Sequence, residues 1–356
     1  MQDVSFFIAL SLIYIPLGVK SELLRRTAFD ARKLWDEWGD ELLVFRRWKH
    51  FFDEFRDWEL VGRVIAECIN KNIDIVLPTD AEYPDILKRV RDFPVVLFCK
   101  GKLVLLSLHN FSVVGTRNMT HYGRVVVQRF VPPLVEAGFC ITSGMARGID
   151  AEAHKMAIKS GGRTIAVLGT GVDVPFPVEN ERLYDDILKN DGLIISEFVP
   201  GMNGFKWNFP QRNRIIAGLS DAVLVVEGGE RSGSLITAGI AEGYGRDVFA
   251  VPGPINSAVS VGVNELLKKG AMIATSSDDI FAHYNLLIKE KPGKGRKQIS
   301  DVARRVLETF GPQGFDVNEL LMVTGLQMGE LLKSLAELEQ SMYIGKDNFG
   351  IYYLEG

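Results

Sequence analysis

Apolar residues in this chain fall into three successive patterns. Through residues 1 to 65 they recur at helical spacing, with many aromatics among them: Phe6, Phe7, Trp35, Trp38, Trp48, Phe51, Phe52, Phe55 and Trp58. That spacing predicts short helices burying their rings in a core. From 66 to 106 it predicts a helix, a short strand at Ile73–Leu77, a turn with a short helix around Tyr83-Pro84, and a strand at Val95–Cys99. Then short apolar runs take over, at Phe111–Gly115, Phe139–Ser143, Thr164–Gly169, Leu193–Phe198, Ala222–Glu227, Val248–Val251 and Met272–Thr275. Amphipathic helical stretches separate most of them. The runs lack apolar/polar alternation, as parallel strands covered on both faces do. Strand and helix in alternation imply an α/β domain with a doubly wound parallel sheet, spanning 107 to 288. Pro132-Pro133 should kink or end the helix between the first two of these runs.

A basic stretch without an apolar face, "KEKPGKGRKQIS" (289–300), reads as a linker. Beyond it, helical patterns at Asp301–Phe310, Val317–Leu321 and Met328–Leu338 precede two short strands around a turn, "MYIGKDNFGIYYL". Three helices and a hairpin suggest a winged-helix-like module at 301–356. It carries nine acids against four bases, which argues against an ordinary grip on DNA and for a protein-contact or cap role.

Composition changes this picture little. A chain of 356 residues, 47% hydrophobic and 24% charged, is an ordinary globular protein of two or three domains. Its formal net charge of −4 means that a polyanion would have to bind a local basic site rather than the overall field. Cys68, Cys99 and Cys140 are widely spaced in apolar surroundings, so buried thiols are expected, and neither they nor the five scattered histidines form a metal pattern. The N-terminal run "SFFIALSLIYIPLGV" follows Asp3 rather than a basic residue, is short for a membrane span, and is broken by Pro16. A buried helix in a cytoplasmic protein is the expectation.

Candidate chemistry lies at the strand ends, where parallel α/β sheets place their ligands. These are Gly115-Thr116-Arg117-Asn118, then Ser143 through Asp150 with Gly144, Arg147 and Gly148, then Gly169-Thr170-Gly171, Ser196-Glu197, and Glu227-Gly228-Gly229 leading to Ser232-Gly233-Ser234. Glycine-rich turns entering helices offer free backbone N–H groups to anions. The expected structural roles are Asp150 pairing with Arg147 or capping a helix, His154 bonding locally, and the serines starting a helix. GxxxxGK[ST], GxSxG, HExxH and GxGxxG after the first strand of the alternating series are all absent, so binding without catalysis or cofactor is favoured. In "FPQRNRIIAG" (209–218), an extended backbone would point Arg212 and Arg214 one way and Asn213 the other. Two readings stay open there. Phe209 and the arginines hold a single strand by stacking and phosphate contact, or Phe209 anchors the loop while the arginines pair with Glu197 or Glu227.

Set in order, "VVGTRN…SGMARGIDAEAH…GTGVDVPFPVEN…FPQRNRIIAGLSDAVLVVE…SGSLITAGIAEGYGRDVFAVPG" resembles the DNA-processing protein A family, also called DprA or Smf. The resemblance spans the main domain and extends upstream through "YPDILKRVRDFPVVLFCKG". It implies an extended Rossmann-like domain over 66–288 that binds single-stranded DNA, a sterile-alpha-motif-like helical domain over 1–65, and the optional winged helix. It further implies a non-enzymatic, usually homodimeric protein that protects incoming strands in natural transformation and helps load the RecA recombinase past single-strand binding protein. Carried over, the DNA site comprises Gly115, Thr116, Arg117, Ser143, Gly144, Arg147, Gly148, Phe209, Arg212, Asn213 and Arg214. Gln211 stands where a basic or small residue is more usual, a departure expected to weaken phosphate attraction slightly, and the N-terminal "IPLGV" lacks the family's glycine-rich turn. The rival is a nucleotide phosphoribohydrolase, whose Gly-Gly-x-Gly-[Ser/Thr] loop "EGGERSGSLITAG" loosely matches, with Glu227 or Glu242 as the catalytic carboxylate. "SLITAGIAEGYG" suits a dimer surface or simple packing on the sheet equally well.

Overall fold

The computed structural model describes residues 4–36, 38–286, 299–310, 314–341, 343–346 and 350–354. Each predicted strand of the first 286 residues forms. They are β1 (Asp74–Val76), β2 (Leu97–Gly101), β3 (Asn110–Val114), β4 (Cys140–Ser143), β5 (Thr164–Val167), β6 (Leu193–Ser196), β7 (Ala222–Val225), β8 (Asp247–Ala250) and β9 (Met272–Ile273). They join one mostly parallel sheet in the order β1-β2-β6-β5-β4-β3-β7-β8-β9. Strands β3 to β8 are buried along almost their whole length, which is why they read as unbroken apolar runs. β2 instead runs antiparallel to β6, and β1 antiparallel to β2. Runs as short as these carry no mark of the neighbour they pair with, and so none of their direction. The strand order reverses between β3 and β7, and the crevice at their carboxyl ends is where an open α/β sheet receives ligands.

The predicted break at Pro132-Pro133 does not occur: one helix runs through both prolines from His121 to Glu136. A proline inside a helix costs about 3 kcal/mol. Here the burial of Val126, Val127, Phe130, Val131 and Leu134 outweighs it, and Ala137 N–H donates to the Pro133 carbonyl at 2.9 Å. The helix Val4–Leu12 buries Phe7 to Leu10, and no described helix is long and apolar enough to cross a membrane.

The N-terminal helices pack into the same apolar core as the sheet. Phe7, Leu10, Leu23, Leu34 and Phe52 belong to one buried cluster with Leu97, Phe98 and Ile195. Ser21 Oγ donates to the Phe93 carbonyl at 2.9 Å, and the Arg25 guanidinium lies 5.0 Å from the Phe93 ring centre. The helix Trp58–Asn70 crosses the boundary expected at residue 65. Residues up to Leu286 make one compact unit and those from Leu287 a second. The linker expected at 289–300 lies almost wholly outside the described residues. Within the second unit, helices Asp301–Glu308, Val317–Thr324 and Met328–Gln340 enclose Ala303, Val306, Leu331 and Leu335, and β10 (Ile344–Lys346) pairs antiparallel with β11 (Tyr352–Leu354).

All three cysteines are free and buried, and burial raises each thiol, Cys68 to about 11 and Cys140 to about 12. Because each unit has its own core, a chain ended at Leu286 is expected to stay folded. Circular dichroism should show one cooperative melt near that of the full chain. A shallow, non-cooperative melt would contradict it.

Candidate functional site

The segment opening at Phe209 is helical, not extended: one helix spans Asn208–Leu219, with Pro210 in its first turn, where a missing N–H costs nothing. Successive residues turn by about 100°, so positions two apart face nearly opposite ways. Phe209, Arg212, Asn213 and Ile216 therefore share one face and line a cleft of about 840 Å³. Gln211 and Arg214 point to the other side, into a separate groove. Two sequence expectations are corrected by this phase. Arg214 does not face the cleft; it is buried in an ion pair with Glu197 and donates to the Asp92 carbonyl at 2.5 Å. Gln211 cannot weaken phosphate attraction in a cleft that it does not line.

Arg212 holds the cleft floor. Its guanidinium donates to the carbonyls of Gly144 (2.6 Å) and Val167, at the ends of β4 and β5, and it is only 4% exposed. A Cβ at Gly144 would lie 2.7 Å from that guanidinium, so any larger residue there would push Arg212 off its carbonyls. Burial lowers the Arg212 pKa to about 10, partly offset by Asp150, and the group stays cationic. Burial raises the Asp150 pKa, against Arg212 and the N–H groups of Ala146, Gly115 and Gly144. Asp150 thus serves the loop of Gly144 (3.2 Å) rather than Arg147, which reaches toward Glu179 at 3.7 Å.

The other predicted residues divide by depth. Gly115, Thr116 and Arg117 line the main cleft, while Gly144 and Arg147 line an adjoining cavity of about 550 Å³ that shares Arg117, Phe176, Phe209 and Arg212. Ser143 is buried and donates to the Val113 carbonyl at 2.7 Å, so its hydroxyl supports the sheet instead of facing a ligand. Gly148, at φ +78°, lets the helix Ile149–Lys159 start against Thr116. At the mouth, the Arg117 guanidinium lies 5.8 Å from the Phe209 ring centre, and Phe176 packs on that ring at 5.1 Å. Asn213 Nδ2 donates to the Gly233 carbonyl at 3.3 Å, tying the floor helix to the serine loop, which does begin a helix with Ser232 as its cap.

Sequence reasoning missed Phe176, Lys206 and Arg231, all of which line the cleft. Phe176 has no local signal, being 33 residues from the ring it meets. Lys206 and Arg231 had one: each is a lone cation beside a motif already singled out. Glu227 is 2% exposed, and its carboxylate accepts from the Thr120 N–H at 3.0 Å and from the Thr120 hydroxyl, which anchors the loop after β3 to β7.

A family model described as DNA recombination-mediator protein A matches residues 74–285, more than half of the chain. The chain belongs to this family. Among its relatives, the DNA processing protein DprA of Streptococcus pneumoniae is 47% identical over 202 residues, 57% of this chain and 71% of that protein. Protein Smf of Escherichia coli is 38% identical over 278 residues, 76% of this chain and 74% of that one. A crystal structure of the S. pneumoniae protein superposes with a TM-score of 0.67 at 35% identity, covering 79% of this chain and 98% of that chain. The Helicobacter pylori DNA processing protein A, described for its mode of binding single-stranded DNA, gives a TM-score of 0.53 at 28% identity over 60% of this chain and 96% of that chain.

In this DprA-family chain two buried groups near the cleft make measurable predictions. Removing Arg214 leaves Glu197 as a buried unpaired charge, so Arg214→Ala should cost about 3–5 kcal/mol in urea unfolding. His154 is fully buried against Thr164 Oγ1 (2.6 Å), and burial, reinforced by Arg212, lowers its pKa to about 3. The unfolded imidazole takes a proton near pH 6.5 while the folded one does not, so stability falls as pH drops from about 6.5 toward 3. That amounts to about 2 kcal/mol by pH 5. Asp150, raised, works in the opposite sense. His154→Asn should remove the histidine's share, visible as a smaller stability difference between urea melts at pH 7 and pH 5.

Proposed function

We propose that the cleft binds single-stranded DNA and that the chain acts by binding, without catalysis or cofactor. The carrying observation is the juxtaposition at its mouth: the Phe209 ring, backed by Phe176, with the Arg117 guanidinium beside it and Lys206 and Arg231 on the same cleft. A ring presents a stacking face to any base, and the cations meet phosphates whatever the sequence. Arg212 adds a fixed positive charge beneath them. The reading is supported by the H. pylori relative, which binds single-stranded DNA.

Within this reading the chain protects incoming DNA in transformation and recombination and helps RecA replace single-strand binding protein on it, as a cytoplasmic homodimer. The N-terminal helices take the sterile-alpha-motif-like role. The second unit, three helices and an antiparallel strand pair, takes that of a winged helix whose acidic balance suits a protein partner rather than DNA. The rival hydrolase reading loses both of its carboxylates: Glu227 is turned onto Thr120, and Glu242 sits exposed on the helix Gly233–Gly243, outside the cleft lining.

Arg117→Ala should weaken binding of a thymidylate strand and reduce the slope of log affinity against log salt by about 0.7 for each phosphate no longer neutralised. Phe209→Ala should cost about 1–3 kcal/mol. Fluorescence anisotropy at two salt concentrations, beside a duplex of equal length, measures both. Affinity unchanged in both variants would sink the assignment of the cleft, and release of free base from a nucleoside monophosphate would favour the hydrolase.

A further inference from the structure

The groove on the far face of the helix Asn208–Leu219 holds two large aromatic side chains that no core explains. Phe205 and Trp207 stack with their centres 4.9 Å apart and their planes 2° from parallel, and they remain 46% and 68% exposed. Burying such rings is worth more than leaving them in water, and a packed pair turned outward marks a surface kept for a ligand. Lys206, between them in sequence, lines the cleft on the near side, while Phe205 and Trp207 line the groove of about 710 Å³ on the far side. The short segment 205–207 is therefore a shared rim between the two. Tyr14, 92% exposed, lines the same groove, as do Trp48 and Phe51.

The groove's charged groups are buried and partnered, so what it offers a strand is ring faces rather than phosphate contacts. Glu197 is paired with Arg214, and Lys20 is a further cation, held by the Ser11 carbonyl at 2.6 Å. The occupant is argued from continuity: a strand held by phosphate at Lys206 meets the outward face of Trp207 next, and flat faces without hydrogen-bond readout suit bases of any sequence.

We infer that the Phe205–Trp207 pair is a second stacking subsite, on which a single strand continues after it leaves the cleft over Lys206. This rests on the cleft being the DNA site, and it assigns to the chain a longer bound strand than the cleft alone would hold.

The test uses the full chain and two thymidylate strands, one of about 4 and one of about 16 nucleotides. Phe205→Ala/Trp207→Ala should bind the short strand as the wild type does and the long one about 5- to 100-fold more weakly. Trp207→Phe keeps a stacking face and should restore most of that loss. Both side chains are exposed, so an unchanged thermal melt is expected and excludes misfolding as the cause. In the wild type, fluorescence quenched by the long strand but not by the short one, and absent in Trp207→Phe, places the base on that ring. If the double variant binds the long strand normally while Arg117→Ala weakens both strands, the subsite is wrong and the cleft assignment stands. If Arg117→Ala weakens neither strand, the cleft assignment fails and the subsite with it. A loss confined to duplex DNA, or to a protein ligand, would also overturn the inference.

Discussion

One buried guanidinium ties the functional end of this sheet together. Arg212 reaches from the floor helix to the carbonyls that terminate β4 and β5, and its charge is matched by Asp150 from the helix that follows β4. Three elements far apart in sequence are thereby set at one height. Hydrogen bonds to a charged donor are stronger than neutral ones, and inside the protein they lack competition from water. The loops above inherit that rigidity: Gly144 is shaped around the guanidinium, and Thr116 and Gly148 pack against each other at the edge. A ligand entering the cleft meets groups that are already in place, and little ordering cost is left to the moment of binding.

The floor helix separates two tasks by phase. On one face, Phe209, Arg212 and Asn213 belong to the cleft. On the other, Arg214 joins Glu197, just after β6, and the Asp92 carbonyl, just before β2, in a buried polar junction, so the same turn of helix both shapes the site and ties the sheet's antiparallel edge together. Alternate residues here answer to different constraints. Substitutions at neighbouring positions will accordingly be felt in different measurements, affinity for one and stability for the next.

Much of this was legible before any coordinates. Strand positions followed from unbroken apolar runs, and the glycine-rich strand ends pointed to the crevice. What stayed hidden has identifiable causes. The helix Asn208–Leu219 has no side-chain cap at Trp207 and opens on polar residues, so its best signal was the proline in its first turn and the spacing of Phe209, Arg212, Asn213 and Ile216. Read as extended, the segment put Arg214 beside Arg212. The direction of β1 and β2 was invisible because runs of three and five residues say nothing of which neighbour they pair with. The prolines at 132 and 133 survived in a helix because tertiary burial overrode local propensity. Phe176 could not be placed, since nothing in a linear pattern tells which distant ring it meets.

The buried thiols have a practical consequence. Cys68, Cys99 and Cys140 are enclosed and held in their protonated, unreactive form. The native surface therefore offers a maleimide dye nothing to react with. A single cysteine introduced on the rim, at Glu230 for instance, would take the label alone, and energy transfer to a fluorophore on a strand's end could then report which way the strand's polarity runs along the cleft.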